Sequence, residues 1–338
     1  GIPRDVGIGT RMRIGFAITR AASVESTWTT VSLAAAALKR GWEVRFIEPW
    51  DFEVGENANL IARAHAFDAP TDNDTLAAAL SSRQAARRFV DLDRLDLLLL
   101  RASPLSTSVL TFASMAQERG VRIVNDPDGL LRVTHKAWLA AQPGVSTPAT
   151  LVTRSLAAIS LFYEGKPMGV VLKPARGSGG RGVSNVLPGD FAALDLAFDA
   201  AKKVGDGYVV AQEYLAAAKH GEKRLLWLDG DVLGGYLRRR APGEFRHNLK
   251  QGGLPEATSV STSDRELVAT VTPQLLSAGI RFAGLDVIGD HLVEVNALNP
   301  GGAFHTDRLN GTNLAETIMG QLAVARPELR NTWAHPAP

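Results

Sequence analysis

The stretch Val170-Val171-Leu172-Lys173-Pro174-Ala175-Arg176-Gly177-Ser178-Gly179-Gly180-Arg181-Gly182-Val183-Ser184-Asn185-Val186-Leu187 decides the fold. Val170 to Pro174 is an apolar, β-branched run that reads as a strand, and Val183 to Leu187 reads as another, closed by Pro188-Gly189. Between them, glycines at the first, third and sixth positions of Gly177 to Gly182 match a dinucleotide-binding spacing, with Asp195 further on as a candidate ribose ligand. That fingerprint requires its last glycine to open a helix whose N-terminus receives a pyrophosphate. A strand follows instead, so the required helix is missing. A glycine-rich loop between two antiparallel strands folds over a triphosphate just as well, with backbone N–H groups as donors and no side chains in the way. The same glycines would suit a plain surface turn; Lys173, at the end of the preceding strand, favours a phosphate cover.

A second constellation lies downstream in Gly284-Leu285-Asp286-Val287-Ile288-Gly289-Asp290-His291-Leu292-Val293-Glu294-Val295-Asn296. Two apolar runs flank Gly289-Asp290, a short-hairpin signal. Strand side chains alternate with period 2, so Glu294 and Asn296 share a face and the turn folds Asp286 back beside them. Two carboxylates and an amide oxygen form a hard, all-oxygen cluster suited to Mg²⁺ bridging phosphates. Two exposed acids on a polar strand face are the plainer reading. Unpaired acids among Val, Ile and Leu cost several kcal/mol if buried, so a metal or a basic partner is expected.

Working outward, Arg13 to Ile18 reads as a buried strand, Thr27 to Lys39 as an Ala/Leu-rich helix closed by Gly41, and Trp42 to Glu48 as a second strand. This strand, helix, strand unit belongs in a parallel sheet. The pattern recurs with Leu95 to Leu100, a helix around Ser108 to Arg119, and Val121 to Val124, before the turn cluster Asn125 to Gly129. A short helical segment is expected over Leu130 to Ala141, a helix over Phe191 to Lys203 and a strand over Tyr208 to Gln212. Strands at Lys223 to Leu228 and Val232 to Leu237 surround the turn Asp229 to Asp231. Helices are expected near Asp264 to Ala278 and Leu314 to Val324. Gly1 to Arg11 is unpatterned and precedes Met12, a candidate native initiator, and no element is expected in it.

At 338 residues the chain exceeds one ordinary core, which favours two or three packed units. A net charge of +2 makes no electrostatic case for nucleic acid, and the longest apolar runs fall far short of the roughly 18 residues a membrane span needs. Zero cysteines exclude disulfides, thiolate zinc sites and an enzyme-borne thiol nucleophile, and fit a cytoplasmic location.

These elements in this order, with Lys136, Lys173, the glycine loop, Gln212-Glu213-Tyr214-Leu215, Lys219 to Arg224, Arg246-His247-Asn248-Leu249 and the Asp286, Glu294 and Asn296 set, resemble the ATP-grasp ligases. Within them the likeness is to bacterial glutathione synthetases, from about Arg13 to Ala323. The resemblance implies an α/β ATP-grasp fold of three parts: an amino-terminal α/β substrate-side domain over 12–128, a small α+β lid carrying the glycine loop over 129–212, and an α+β domain carrying the metal site over 213–330. It implies that Lys136 and Lys173 contact ATP phosphates under Gly177, Ser178, Gly179 and Gly180. Gln212, Glu213, Tyr214 and Leu215 would form the hinge whose backbone pairs with adenine, and Glu222 would hold the ribose hydroxyls. Asp286, Glu294 and Asn296 would hold two Mg²⁺, for which Mn²⁺ can substitute. Arg224, Arg246 and Asn248 would grip the γ-phosphate and the carboxylate being activated, as planar guanidinium suits both oxyanions. Arg238 aligns with a substrate-side arginine. Asn299-Pro300-Gly301-Gly302 stands where the family carries a Ser-Pro segment that receives the amino-acid acceptor.

The implied reaction is phosphoryl transfer from ATP to a carboxylate, then attack by an amine on the acyl phosphate, with small-molecule acid and amine partners and a homo-oligomeric (dimeric or tetrameric) enzyme. Three alternatives compete. One is an amino-acid ligase acting on a peptide or protein tail, another a non-catalytic ATP-binding regulatory module, and the third a dehydrogenase using Gly177 to Gly182. His247 and His305 read as hydrogen-bonding loop residues rather than bases.

Overall fold

The computed structural model describes residues 11–324, and its chain divides by contacts into two compact units. The first comprises residues up to Leu131 together with Leu275–Ala283 and the segment from Ala297; the second comprises Arg132–Gln274 and Gly284–Asn296. The carboxy-terminal limit of 330 and the segment Gly1 to Thr10 lie outside the described residues.

The first unit is built on a six-stranded sheet in the order β4-β3-β2-β1-β5-β6. Its strands are β1 (Arg13–Ala17), β2 (Glu43–Val54), β3 (Leu60–Phe67), β4 (Ala86–Asp91), β5 (Leu97–Leu100) and β6 (Arg122–Val124). β1 pairs in parallel with β2 and β5, and β5 with β6, as the recurring strand–helix pattern predicts. The intervening helices are α1 (Thr29–Lys39) and, further on, Thr107–Glu118. The antiparallel extension β2-β3-β4 is not anticipated by the sequence reading. Pro49 punctuates the run after Glu48 in sequence, yet β2 continues through it because the β2/β3 register shifts between Ile47 and Phe52. A proline missing its N–H is tolerated at such an irregularity. Two closing helices, Ala303–Asn310 and Leu314–Ala323, complete the unit.

The second unit holds two sheets. A four-stranded sheet runs β7-β10-β8-β9, from β7 (Thr150–Thr153), β8 (Val170–Pro174), β9 (Ser184–Val186) and β10 (Val209–Glu213). The helices Leu156–Glu164 and Phe191–Lys202 join it in one core of Ile159, Tyr163, Val170, Leu172, Val186, Leu194, Phe198, Val209 and Ala211. Each fully buried side chain of that size contributes about 1.5–3 kcal/mol. Ser155 and Asp190 cap the two helices through the N–H groups of Ala158 and Ala193. The second sheet runs β13-β12-β11-β14-β15, from β11 (Glu222–Leu228), β12 (Asp231–Arg239), β13 (Leu254–Ala257), β14 (Phe282–Ile288) and β15 (His291–Asn296). The single helical segment expected over Leu130 to Ala141 is two short ones, Pro127–Val133 and Ala137–Ala140. It breaks at Lys136, whose N–H donates to the Ala175 carbonyl at 3.0 Å.

Candidate active site

β8 and β9 pair antiparallel, with Leu172 opposite Ser184, and no helix follows the glycine loop between them. The dinucleotide reading is thereby excluded on geometry. Period 2 does the positioning. Val170 and Leu172 enter the core, so Val171 and Lys173 emerge on the other face; on β10, Val209 and Ala211 enter it, so Gln212 emerges beside them. Lys173 Nζ donates to Gln212 Oε1 at 3.1 Å, and Gln212 Nε2 to Thr150 Oγ1 at 3.1 Å. Burial lowers the Lys173 pKa, with Glu294 pulling the other way.

Lys136, Lys173, Gly177, Ser178, Gly179, Gly180, Gln212, Glu213, Tyr214, Leu215, Glu222, Arg224, Arg246, Asn248, Asp286, Glu294 and Asn296 all line one cavity of about 150 Å³ within the second unit. That is below the roughly 300–1,000 Å³ typical of small-molecule pockets, so a nucleotide requires the loop to lift. The loop is held down through its carbonyls. Lys136 Nζ donates to Gly177 O at 3.1 Å, Arg246 Nη1 to Gly180 O at 3.1 Å, and Gln251 Nε2 to Gly179 O at 3.1 Å. Gln251 carries no motif and is invisible in the sequence. Gly179 and Gly180 both take left-handed φ, at 71° and 75°, and a Cβ on Gly180 would meet Arg246 and Gln251 at 3.4 Å. Gly180→Ala costs about 1–2 kcal/mol of backbone strain and crowds that brace. The expected result is a rise of about tenfold in KM for ATP and an unfolding free energy lower by no more than that ~1–2 kcal/mol; an unchanged KM would remove the loop from nucleotide binding.

The N–H groups of Glu213 and Tyr214 are spent on the Ala149 and Gly169 carbonyls at 2.9 and 3.1 Å. Neither N–H is therefore open to a nucleobase.

On the second sheet Glu222 lies opposite Arg238, and Arg224 opposite Tyr236. Asp286 lies opposite Glu294, as the hairpin reading requires. Asp286 is buried and receives Arg224 Nε at 2.6 Å and Nη2 at 2.9 Å, Arg238 Nη2 at 2.6 Å, and Asn296 Nδ2 at 3.0 Å. Burial alone would raise its pKa, but the two guanidiniums overcome this and hold its carboxyl well below the usual carboxylate range. Glu222 is bound to Arg238 as well; burial nonetheless pushes its carboxyl up, to about 7. Arg238 is thus placed between two carboxylates. Arg246 pairs with Glu244 at 2.7 Å, and His247 Nε2 sits 2.9 Å from the Ala218 carbonyl, a hydrogen-bonding role.

Glu294 differs from Asp286. It is partly exposed and its ion-pair partner is Lys136 at 3.5 Å. Among the described residues no group of three His, Cys, Asp or Glu side chains is able to hold a metal ion. The oxygen donors Asp286, Glu294 and Asn296 suit a hard cation in kind. Among the described residues Glu294 makes no second ion pair, whereas Asp286 is engaged by two arginines.

Asn299, Pro300, Gly301 and Gly302 fall in the first unit, although Asn296 belongs to the second. There Asn299 adopts φ 51°, Arg101 Nη2 donates to Pro300 O at 2.9 Å, and the Gly302 N–H reaches Thr29 Oγ1 at 3.1 Å. Arg101, which carries no signature in the sequence, is buried with no carboxylate partner among the described residues, and burial lowers its pKa.

A glycine loop between antiparallel strands, backed by lysines and facing an acidic hairpin, defines the ATP-grasp class. Solved structures share this fold. A D-cycloserine synthetase superposes with a TM-score of 0.64 at 16% identity over 91% of this chain and 99% of its own. A D-Ala:D-Ser ligase from Enterococcus faecalis gives 0.62 at 14% over 93% and 100%. Family models for the prokaryotic glutathione synthetase ATP-grasp domain and amino-terminal domain match residues 137–311 and 12–131. A glutathione synthetase of Synechococcus elongatus is 32% identical over 92% of this chain and 98% of its own length, and one of Pseudomonas putida is 32% identical over 91% and 96%. The chain belongs to the prokaryotic glutathione synthetase family. It is an ATP-dependent, amide-bond-forming C–N ligase. No helix among the described residues is long and apolar enough to cross a membrane.

Proposed function

We propose that this enzyme transfers the γ-phosphoryl group of ATP to a substrate carboxylate, and that an amine then displaces phosphate to form the amide. The observation that carries the reading is the gathering of Lys136, Lys173, Arg224, Arg246 and the glycine loop around one cavity. These cations meet the charge on a transferred phosphoryl without any protein nucleophile, which suits a chain with no cysteine. Lys136 joins the loop to Glu294, so loop position and the acidic hairpin are linked through one side chain. The loop, once closed, keeps water from the acyl phosphate. Asp286, Glu294 and Asn296 would hold Mg²⁺, two ions in our reading and replaceable by Mn²⁺, which when bound neutralises phosphate charge. Glu222 would accept from the ribose hydroxyls, and Gln212 to Leu215 would flank the base.

The relatives' shared name supports glutathione formation, an acid of the γ-glutamyl-cysteine kind joined to an amino acid, with Asn299 to Gly302 on the acceptor side. We keep the lid (129–212) and metal-bearing (213–330) parts as functional divisions of the chain, alongside the substrate-side domain (12–128). A cytoplasmic homo-oligomer, dimeric or tetrameric, is part of the same proposal. The test is ADP release with ATP, Mg²⁺ and a panel of acid and amine pairs, with the product weighed by mass spectrometry. An amide is expected only when both partners are present; ATP binding without ADP formation from any pair would leave a nucleotide-binding module instead.

A further inference from the structure

His247 lines the nucleotide cavity from the segment between β12 and β13, buried and outside the charged set. Its Nε2 lies 2.9 Å from the Ala218 carbonyl. A carbonyl only accepts, so Nε2 carries the proton. Burial lowers the pKa of the ring, with the Ala218 bond pulling the other way, and a neutral imidazole donates through that one nitrogen. Ala218 belongs to the short 3₁₀ turn Ala216–His220, directly after the Gln212 to Leu215 segment, and lines the same cavity. Its own N–H returns to the Leu215 carbonyl at 2.9 Å. His247 thus fastens the segment between β12 and β13 to the wall on which a nucleotide would lie.

The neighbours of His247 reach the other way, to the glycine loop. Arg246, oriented by Glu244 at 2.7 and 3.0 Å, donates to the Gly180 carbonyl, and Gln251 to the Gly179 carbonyl. Between them the chain doubles back. The Gln251 and Gly253 N–H groups donate to the Asn248 carbonyl at 2.9 and 3.2 Å, and a Cβ on Gly253 would stand 2.3 Å from the His247 carbonyl oxygen. Only glycine fits there, so the turn that carries Gln251 is folded directly onto His247. One bond to the nucleotide wall and two to the glycine loop are therefore held by a single short segment.

We propose that His247 is a positioning residue that couples the nucleotide wall to the glycine loop: held against Ala218, it keeps Arg246 and Gln251 on the Gly180 and Gly179 carbonyls. The proposal rests on the ligase reading for its consequence. With the anchor lost the loop closes poorly, water returns the acyl phosphate to acid and inorganic phosphate, and ADP accumulates without amide. His247→Phe keeps a ring of similar size and deletes the donor, while His247→Gln restores an N–H at comparable reach. The Ala218 carbonyl still accepts the Gly221 N–H at 3.1 Å, so neither variant orphans it. Two measurements on the full chain test the proposal: ADP formed per amide, and metal-free ADP affinity by calorimetry. In His247→Phe the ratio is expected to rise from about one to about two or more, and the ADP Kd to rise about tenfold, the upper end for one neutral hydrogen bond. His247→Gln is expected to return both to wild-type values. A purely structural role would lower the melting temperature and leave the ratio at its wild-type value. The proposal is overturned if His247→Phe keeps the wild-type ratio or the wild-type ADP affinity, or if His247→Gln behaves as His247→Phe does. Should the wild type give no amide from any pair, the ligase reading falls by itself, and the ADP affinities of the two variants still decide whether His247 holds the loop.

Discussion

Asp286→Asn is expected to remove both turnover and several kcal/mol of stability at once. Asp286 and its partners Arg224 and Arg238 are all at most 8% exposed, and the carboxylate takes three guanidinium contacts. An amide offers one acceptor, no charge, and an NH₂ that confronts the arginines. Arg238 keeps Glu222, while Arg224, buried, loses the carboxylate that accepts two of its N–H groups. Removing one partner of a buried pair costs about 3–5 kcal/mol. Denaturant unfolding should show an unfolding free energy lower by that amount, with a correspondingly lower midpoint, and ADP formation should be undetectable. A variant that loses turnover with an unshifted midpoint would mean that Asp286 does not anchor the arginines.

The acidic hairpin and the glycine loop were legible because each depends on short-range rules. The period-2 alternation in Val293 to Asn296 and the Gly289-Asp290 turn are local, and so is the strand after Gly182 that rules out a helix. What escaped was the material whose order comes from neighbours. β3, Leu-Ile-Ala-Arg-Ala-His-Ala-Phe, alternates small and polar residues, and β4 is mostly exposed; both are strands because β2 templates them. The short strand Thr150–Thr153 and edge strand Leu254–Ala257 are likewise set by pairing.

The site itself was legible in its membership and not in its wiring. Asp286 was readable as a buried acid in want of a partner, with a metal or a base as the two solutions. The fold supplies the base twice, from β11 and β12, because the register places Arg224 and Arg238 on the face that Asp286 occupies. No spacing in the chain announces a register between strands more than forty residues apart. For the same reason Gln251 and Arg101, one bracing the loop and the other the Asn299 to Gly302 segment, carry no signature in sequence.

Glu294→Gln separates catalysis from folding where Asp286 cannot. Glu294 is partly exposed, its ion pair with Lys136 spans 3.5 Å, and Lys136 keeps its bond to the Gly177 carbonyl without it. An ion pair open to solvent contributes about 0–1 kcal/mol, so the unfolding midpoint should barely move. Gln preserves shape and one oxygen while deleting the charge that a divalent cation, or a cationic transition-state contact, would require at that position. Turnover is expected to fall by about 10²–10³-fold, the scale at which removing one preorganised electrostatic contact operates. ADP should still bind in the absence of metal, since Lys136, Lys173 and the loop are untouched. Single-turnover ADP formation, metal-free ADP binding and the unfolding midpoint, measured on the same preparation, decide it: equal losses in all three would make Glu294 a structural residue, and full activity would take it out of the site.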